Sequence, residues 1–352
     1  MHDSQKLVAE ACRGIRPVRT PIFDLFRNTA VIEHFAGHAL DGSADWDTVM
    51  RATGNALDCF RSLDVPHTDG NTWTDEMGSV HVARRWTAWV QTRALVTEDE
   101  WRAWIVARTE QLEVEPFPGP AERARVGAEQ GSFNAKLNGA VCIHCTPSTA
   151  LNSALFGHSG LEMFAYLWAD YPDLVLRWMR ALEHHTRRYV ELSAHPENGE
   201  LAMIYSDMAY KQRLMFGKRA LLQLGVFDDV ADICAACHDK GMRVIFHSDG
   251  NIMDIVDDLV AAGIDGLNPL EKAAGMDIFA LRRRYPELIL VGGVDVTHLL
   301  PFGTPDEVRR ETRRIIQEVG ADGRLLIGSS TELGDDVPLA NYLALHDEAM
   351  RG

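Results

Sequence analysis

The chain has 352 residues, of which 46% are hydrophobic and 24% charged, with a formal net charge of −16. Such a composition suits a soluble globular protein of one large domain, and the acidic surface argues against nucleic acid or anionic membrane as partners, leaving room for a local basic site for an anionic substrate. No apolar run reaches the roughly eighteen residues that a membrane span needs, and the N-terminal stretch MHDSQKLVAEACRGIRP has no apolar signal core, so a cytoplasmic location is expected.

In chain order, residues 18–26 (VRTPIFDLF) predict a first strand, followed by helices over 30–40 and 46–63, the second capped by Asp45. Residues 64–90 contain a DGN turn and alternating Val80, Val82, Trp86 and Trp89, which predicts a hairpin excursion. Thr97 opens a capping-box helix to Val114, a Pro- and Gly-rich break follows at 116–120, and 121–137 predicts a further helix. About 30–138 therefore form an N-terminal helical and hairpin elaboration of a single domain spanning 1–352.

From Gly139 onward strands and helices alternate. Strands are predicted at AVCIHC (140–145), AMIYS (202–206), MRVIF (242–246), 263–267, 288–292 and 325–327. Helices fall at 150–156, 160–168, 172–192, 220–240, 252–262, 276–284, 305–319 and 337–350. This alternation predicts an α/β fold, a parallel (β/α)8 TIM barrel. The absence of G-x-G-x-x-G or G-x-x-x-x-G-K after any strand argues against Rossmann and P-loop folds.

Six cysteines stand at positions 12, 59, 142, 145, 234 and 237, and two pairs have C-x-x-C spacing. Cys234-Ala-Ala-Cys237-His238 matches a haem-attachment pattern, but the pair lies on the apolar face of a helix with Val230 and Ile233. Buried free thiols are the expectation there. Cys142-Ile-His-Cys145 has the spacing of a zinc knuckle but no second pair nearby.

In a barrel, the residues ending successive strands converge on one mouth. They are Cys145, Asp207, His247 with Asp249, Glu271, Asp295 and Glu332. So many carboxylates raise one another's pKa unless a cation compensates. Lys211, Arg213 and Lys272 are nearby candidates, and a divalent metal is another. The competing structural role for each acid is to cap the helix that follows.

The stretches YSDMAYKQRLMF, MRVIFHSDGN, GIDGLNPLEKAAGMDI, LVGGVDV and GSSTELGDDVPLAN, with weaker RTPIFDLF and TDEMGSV, resemble the uroporphyrinogen decarboxylase superfamily. That superfamily includes corrinoid-dependent methyltransferases, and the resemblance is closest to their O-demethylase type. It implies the (β/α)8 barrel. The decarboxylases carry an RQAGR-type segment after the first strand and a late His in G-H-G. Here the corresponding segments read Phe26-Arg27-Asn28-Thr29-Ala30 and Ser330-Thr331-Glu332, which argues against porphyrinogen as substrate. The thiol-type methyltransferases hold zinc on His-x-Cys and a later Cys. Here His247-Ser248-Asp249 replaces the Cys by Asp.

The resemblance implies a methyltransferase moving a methyl group between a small ether- or amine-like donor and a corrinoid (cobalamin). No D-x-H-x-x-G segment occurs, so the corrinoid is expected on a partner protein. Asp207 and His247 are the expected catalytic residues, and Tyr210, Lys211, Asn251 and Asp295 the substrate contacts. His247, Asp249 and Glu332 form the candidate metal set, with zinc as the candidate ion. Self-association as a homodimer is compatible with this reading. The alternatives are a cofactor-free decarboxylase of uroporphyrinogen or a smaller acid, and a binding barrel without chemistry.

Overall fold

The computed structural model describes residues 3–351. Five parallel strands form the main sheet, in the order β11-β10-β9-β8-β7. They are β7 Leu201–Tyr205, β8 Arg243–His247, β9 Gly266–Asn268, β10 Ile289–Val294 and β11 Leu325–Ser329. Two further parallel pairs join β1 (Phe26–Arg27) to β12 (Leu333–Gly334), and β2 (Cys59–Phe60) to β6 (Val141–Cys142). Single parallel bridges link these pieces: Ile22 to Ile327, Phe23 to Cys59, Cys145 to Ala202 and Ser148 to Tyr205. The protein is thus an α/β fold whose ladders are interrupted, not one continuous closed sheet.

Two hydrophobic clusters follow from the period-two alternation of the strands. Alternate residues Ala202, Ile204, Val244, Phe246, Leu290 and Ile327 pack with the helices in the larger cluster. The intervening Leu201, Met203, Ile245, Ile289, Val291 and Leu326 meet Phe23, Cys59, Val141 and Ile143 in the second. Val8, Ala11 and Cys12 of the first helix, Asp3–Cys12, close that second cluster at one end. Continuing the same alternation, His247 follows Ile245 and Tyr205 follows Met203 at the other end. The inner row thus changes from apolar to polar at the strands' C-terminal ends.

Several predicted elements shift for local reasons. The helix expected over 46–63 runs only Trp46–Ala56. Asp45 does cap it, accepting from the Thr48 amide at 3.1 Å, but Leu57 turns extended and the chain enters β2. Gly225, at φ 72°, splits the helix expected over 220–240 into Lys218–Gln223 and Val226–His238. Residues 150–156 open a short helix and pass into a π-helical turn, Ser153–Ser159. The expected excursion is a three-stranded antiparallel sheet, β3 Thr72–Thr74, β4 Val80–Arg84 and β5 Thr87–Thr92. The Thr97 capping box is present, with Glu100 as its return partner. All six cysteines are buried free thiols. Among the described residues no helix is long and apolar enough to cross a membrane.

Candidate active site

Asp207, His247 and Asp249 come together at the C-terminal ends of β7 and β8, with one ligating atom of each within 4.8 Å of the others. β7 and β8 are paired in register, Tyr205 opposite His247, so the loops leaving them start side by side. The two carboxylate segments are then tied: Asp207 Oδ1 accepts the Asp249 backbone N–H at 2.9 Å. Asn152 Oδ1 accepts the Asp207 N–H at 3.0 Å, and Ser248 Oγ accepts that of Met208 at 3.0 Å. Gly250, at φ +79°, lets the chain turn sharply here; a Cβ would lie 2.3 Å from the Tyr210 carbonyl oxygen. The Gly250 N–H donates to Glu271 at 2.6 Å.

His247 is held in one tautomer. Asn268 donates its Nδ2 to the Val291 carbonyl at 3.3 Å, which turns its Oδ1 toward His247 Nδ1 at 2.7 Å. Nδ1 therefore carries the proton and donates it, and Nε2 is left as the acceptor, 3.4 Å from Arg61 Nη1. Nε2 lies 3.8 Å from Asp207 Oδ1. Burial, and then the Arg61 charge, push the His247 pKa down to about 3, against the smaller lift from Asn268. The imidazole is neutral at any physiological pH.

The carboxyls move the other way. Burial, then the charges of Asp207, Glu332 and Glu271, raise Asp249 to about 7, with Arg61 opposing. Burial also raises Asp207, moderated by the Asp249 N–H and Arg61. Glu332 ends below its ordinary value: burial raises it, but the Thr331 hydroxyl and the charges of Arg27 and Arg61 prevail.

Arg61 was not anticipated, because β2 was expected to be helix. It leaves the end of β2 with its side chain only 8% exposed. It donates to the Tyr205 hydroxyl, and its Nη1 stands 3.3 and 3.4 Å from the two ring nitrogens of His247. Arg27, just after Phe26, reaches Asp64 at 2.5 Å and pairs with Glu332. The compensating cations at this mouth are therefore arginines. Lys211 and Arg213 are exposed, and Lys272 pairs with Glu311 at 3.4 Å.

The other expected site residues lie apart from this cluster. Glu332 sits on the two arginines, and the third residue gathered with His247 and Asp249 is Asp207. Asn251 donates to the Ala274 carbonyl and accepts from the Met253 N–H, which serves the turn. Asp295 caps Thr297 and faces His298 at 3.4 Å. The side chain of Tyr210 is 54% exposed. Missed entirely were Asn268, directly after the strand expected at 263–267, and Tyr205, inside the strand expected at 202–206.

The family described as Uroporphyrinogen decarboxylase (URO-D) matches residues 146–351. The chain belongs to this family. No curated protein matches it. A solved structure titled "methyltransferase from Methanosarcina mazei" is similar with a TM-score of 0.65 at 13% identity, covering 99% of this chain and 98% of that one. At that identity the likeness concerns the fold. The URO-D match covers the strands carrying Asp207, His247, Asn268 and Glu332, while Arg27 and Arg61 lie ahead of it.

Proposed function

We propose that this URO-D family member is a methyltransferase, moving a methyl group between a small ether or amine and a corrinoid carried by a partner protein. The reading treats the strands as one (β/α)8 barrel, closed through the four single bridges and open at the Asp207–His247–Asp249 end. The observation that supports it most is the meeting of Asp207 and Asp249 with a singly oriented imidazole at the strand ends, where burial and neighbouring acids raise the Asp249 pKa. Asp249, with a pKa near 7, can deliver a proton to a leaving ether oxygen. As the carbon–oxygen bond breaks, that oxygen takes the proton and leaves as an alcohol, and the methyl passes to the incoming nucleophile. His247 offers Nε2 as an acceptor that orients the substrate, and Asp207 fixes the Asp249 backbone. A corrinoid would supply the cobalt nucleophile.

The donor set fits a metal ion as well. His247 Nε2, Asp207 and Asp249 would hold a divalent cation such as zinc, which would act there as a Lewis acid toward the ether oxygen. With Arg61 already beside His247, a cation entering this set meets repulsion as well as ligands.

A second reading is a decarboxylase of uroporphyrinogen or a smaller acid, favoured by Arg27 and Arg61 at the mouth. One experiment separates the two. The protein is incubated anaerobically with cob(I)alamin and a panel of methyl ethers and N-methylamines, and in parallel with uroporphyrinogen. Methylcobalamin formation is expected, falling about 10²–10⁴-fold in Asp249→Asn. Coproporphyrinogen formation, with no methyl transfer from any panel member, would replace the first reading by the second.

A further inference from the structure

At the N-terminal ends of the strands, away from the mouth, lies a cavity of about 400 Å³. Arg13, Arg243, Arg284 and Arg324 line it, with Asp265 and Glu287 as its carboxylates. Arg13 directly follows the first helix and Arg243 is the first residue of β8. Asp265, Leu288 and Arg324 directly precede β9, β10 and β11. Four neighbouring strands therefore start at this cavity, and a chain with a net charge of −16 gathers four guanidinium groups there.

Their counter-ions leave much of each guanidinium open. Among the described residues each meets its carboxylate through one nitrogen: Arg13 on Glu200, Arg243 on Asp265, Arg284 on Asp257 and Arg324 on Glu287. Asp265 is shared. It takes the Val244 N–H at 2.8 Å and faces His238 Nε2 at 2.8 Å, besides Arg243 Nη1 at 3.2 Å. Glu287 meets Arg324 at 2.6 Å but is 81% exposed, so water competes for it. A fifth arginine lies behind the cavity wall. Arg282 directs its donors to the backbone carbonyls of Val319, Pro286, Leu288 and Arg324, at 2.7–3.0 Å, and among the described residues no carboxylate pairs with it. Burial and then Arg324 bring its pKa down to about 10, with Asp322 and Glu287 opposing, so it stays charged at neutral pH. Arg324 itself sits at φ +58°, a conformation that L side chains rarely adopt. Its N–H donates to the Ala11 carbonyl at 2.8 Å, and its guanidinium lies against Gly14, where a Cβ would stand 2.3 Å from Cζ. The fold thus fixes this side chain between the first helix and the strand starts.

We propose that these arginines form a second ligand site, remote from His247, for a small organic diphosphate or bisphosphate. Phosphoryl oxygens accept several guanidinium N–H bonds at once and match the planar fork. The cavity is larger than one phosphoryl group, and Val260, Ile264 and Leu288 give the organic part an apolar wall. Binding would tie Arg13, and with it the first helix, to the starts of β8 and β11. The inference is independent of the reaction at the mouth.

The test is calorimetric titration of the full-length protein with sodium pyrophosphate, in chelator at pH 7.5 and constant ionic strength, with orthophosphate in parallel. Pyrophosphate is expected to bind saturably with a Kd below about 1 mM, and orthophosphate about 10-fold more weakly or worse. Arg13→Gln and Arg243→Gln, both at exposed side chains, should each weaken pyrophosphate about 10-fold or more, and Arg243→Lys should keep part of the affinity. Glu287→Gln removes a competing carboxylate and should tighten binding. Arg27→Gln, at the mouth, should leave the affinity unchanged. The proposal is overturned by any of four results: no saturable binding, orthophosphate binding as tightly as pyrophosphate, affinity lost in Arg27→Gln but kept in Arg13→Gln and Arg243→Gln, or weaker binding in Glu287→Gln.

Discussion

Replacing His247 by Gln should change how stability depends on pH, by an amount the structure allows to be worked out. A histidine in the unfolded chain titrates near 6.5, whereas burial and Arg61 hold the folded His247 near 3. Between those values the unfolded state binds a proton that the folded state refuses. Stability from this residue is therefore complete above about 6.5 and is lost as pH falls toward 3. From pH 7.5 to 4.5 the loss is about 3 kcal/mol, and because the ring is only 3% exposed, solvent screening does not reduce it. Glutamine can still meet Asn268 and does not titrate. The other buried acids and histidines contribute to both proteins alike and cancel in the difference. The assay is urea unfolding of wild type and His247→Gln, followed by tryptophan fluorescence in chelator at half-unit pH steps. The gap between the two free energies should shift in favour of the variant by that amount as pH falls. A shift below about 1 kcal/mol would show that His247 is protonated in the folded protein and would remove Nε2 as an acceptor.

Two further predictions concern single positions. Gly250→Ala puts a Cβ against the Tyr210 carbonyl at positive φ, costing about 2 kcal/mol or more; exchange of the Asn251 amide, now bonded to Tyr210 at 3.2 Å, should accelerate, and unchanged protection would refute the close approach. The thiols of Cys234 and Cys237 sit buried on one face of Val226–His238, so a thiol reagent should count six cysteines only after denaturation and no haem band should be seen; fewer than six in the unreduced, denatured protein would mean an oxidised pair.

Much of the strand–helix alternation after Gly139 was legible, because a strand with apolar residues on both faces and a capped amphipathic helix are both local patterns. The same holds for His247 and Asp207, which end apolar runs and so had to sit at strand tips. The strand at Cys59–Phe60 was not legible. It is two residues long, and its stability comes from pairing with Val141–Cys142 and from bridging to Phe23, contacts made across the chain. With that strand Arg61 was lost, and with Arg61 the charge balance of the mouth.

The amino-acid order alone determined which carboxylates and which imidazole could meet, since His247 ends its strand and each acid follows its own by two or three residues. Only the tertiary structure decided what they became. The His247 tautomer depends on Asn268 oriented by Val291 two strands away. The proton on Asp249 depends on the crowding of Asp207, Glu271 and Glu332 around a buried carboxyl. The low pKa of Glu332 depends on the Thr331 hydroxyl and on two arginines some 270 and 300 positions earlier in the chain. Electrostatic energy varies with distance in space and with burial, and for these groups both are set by which distant strands the fold brings side by side.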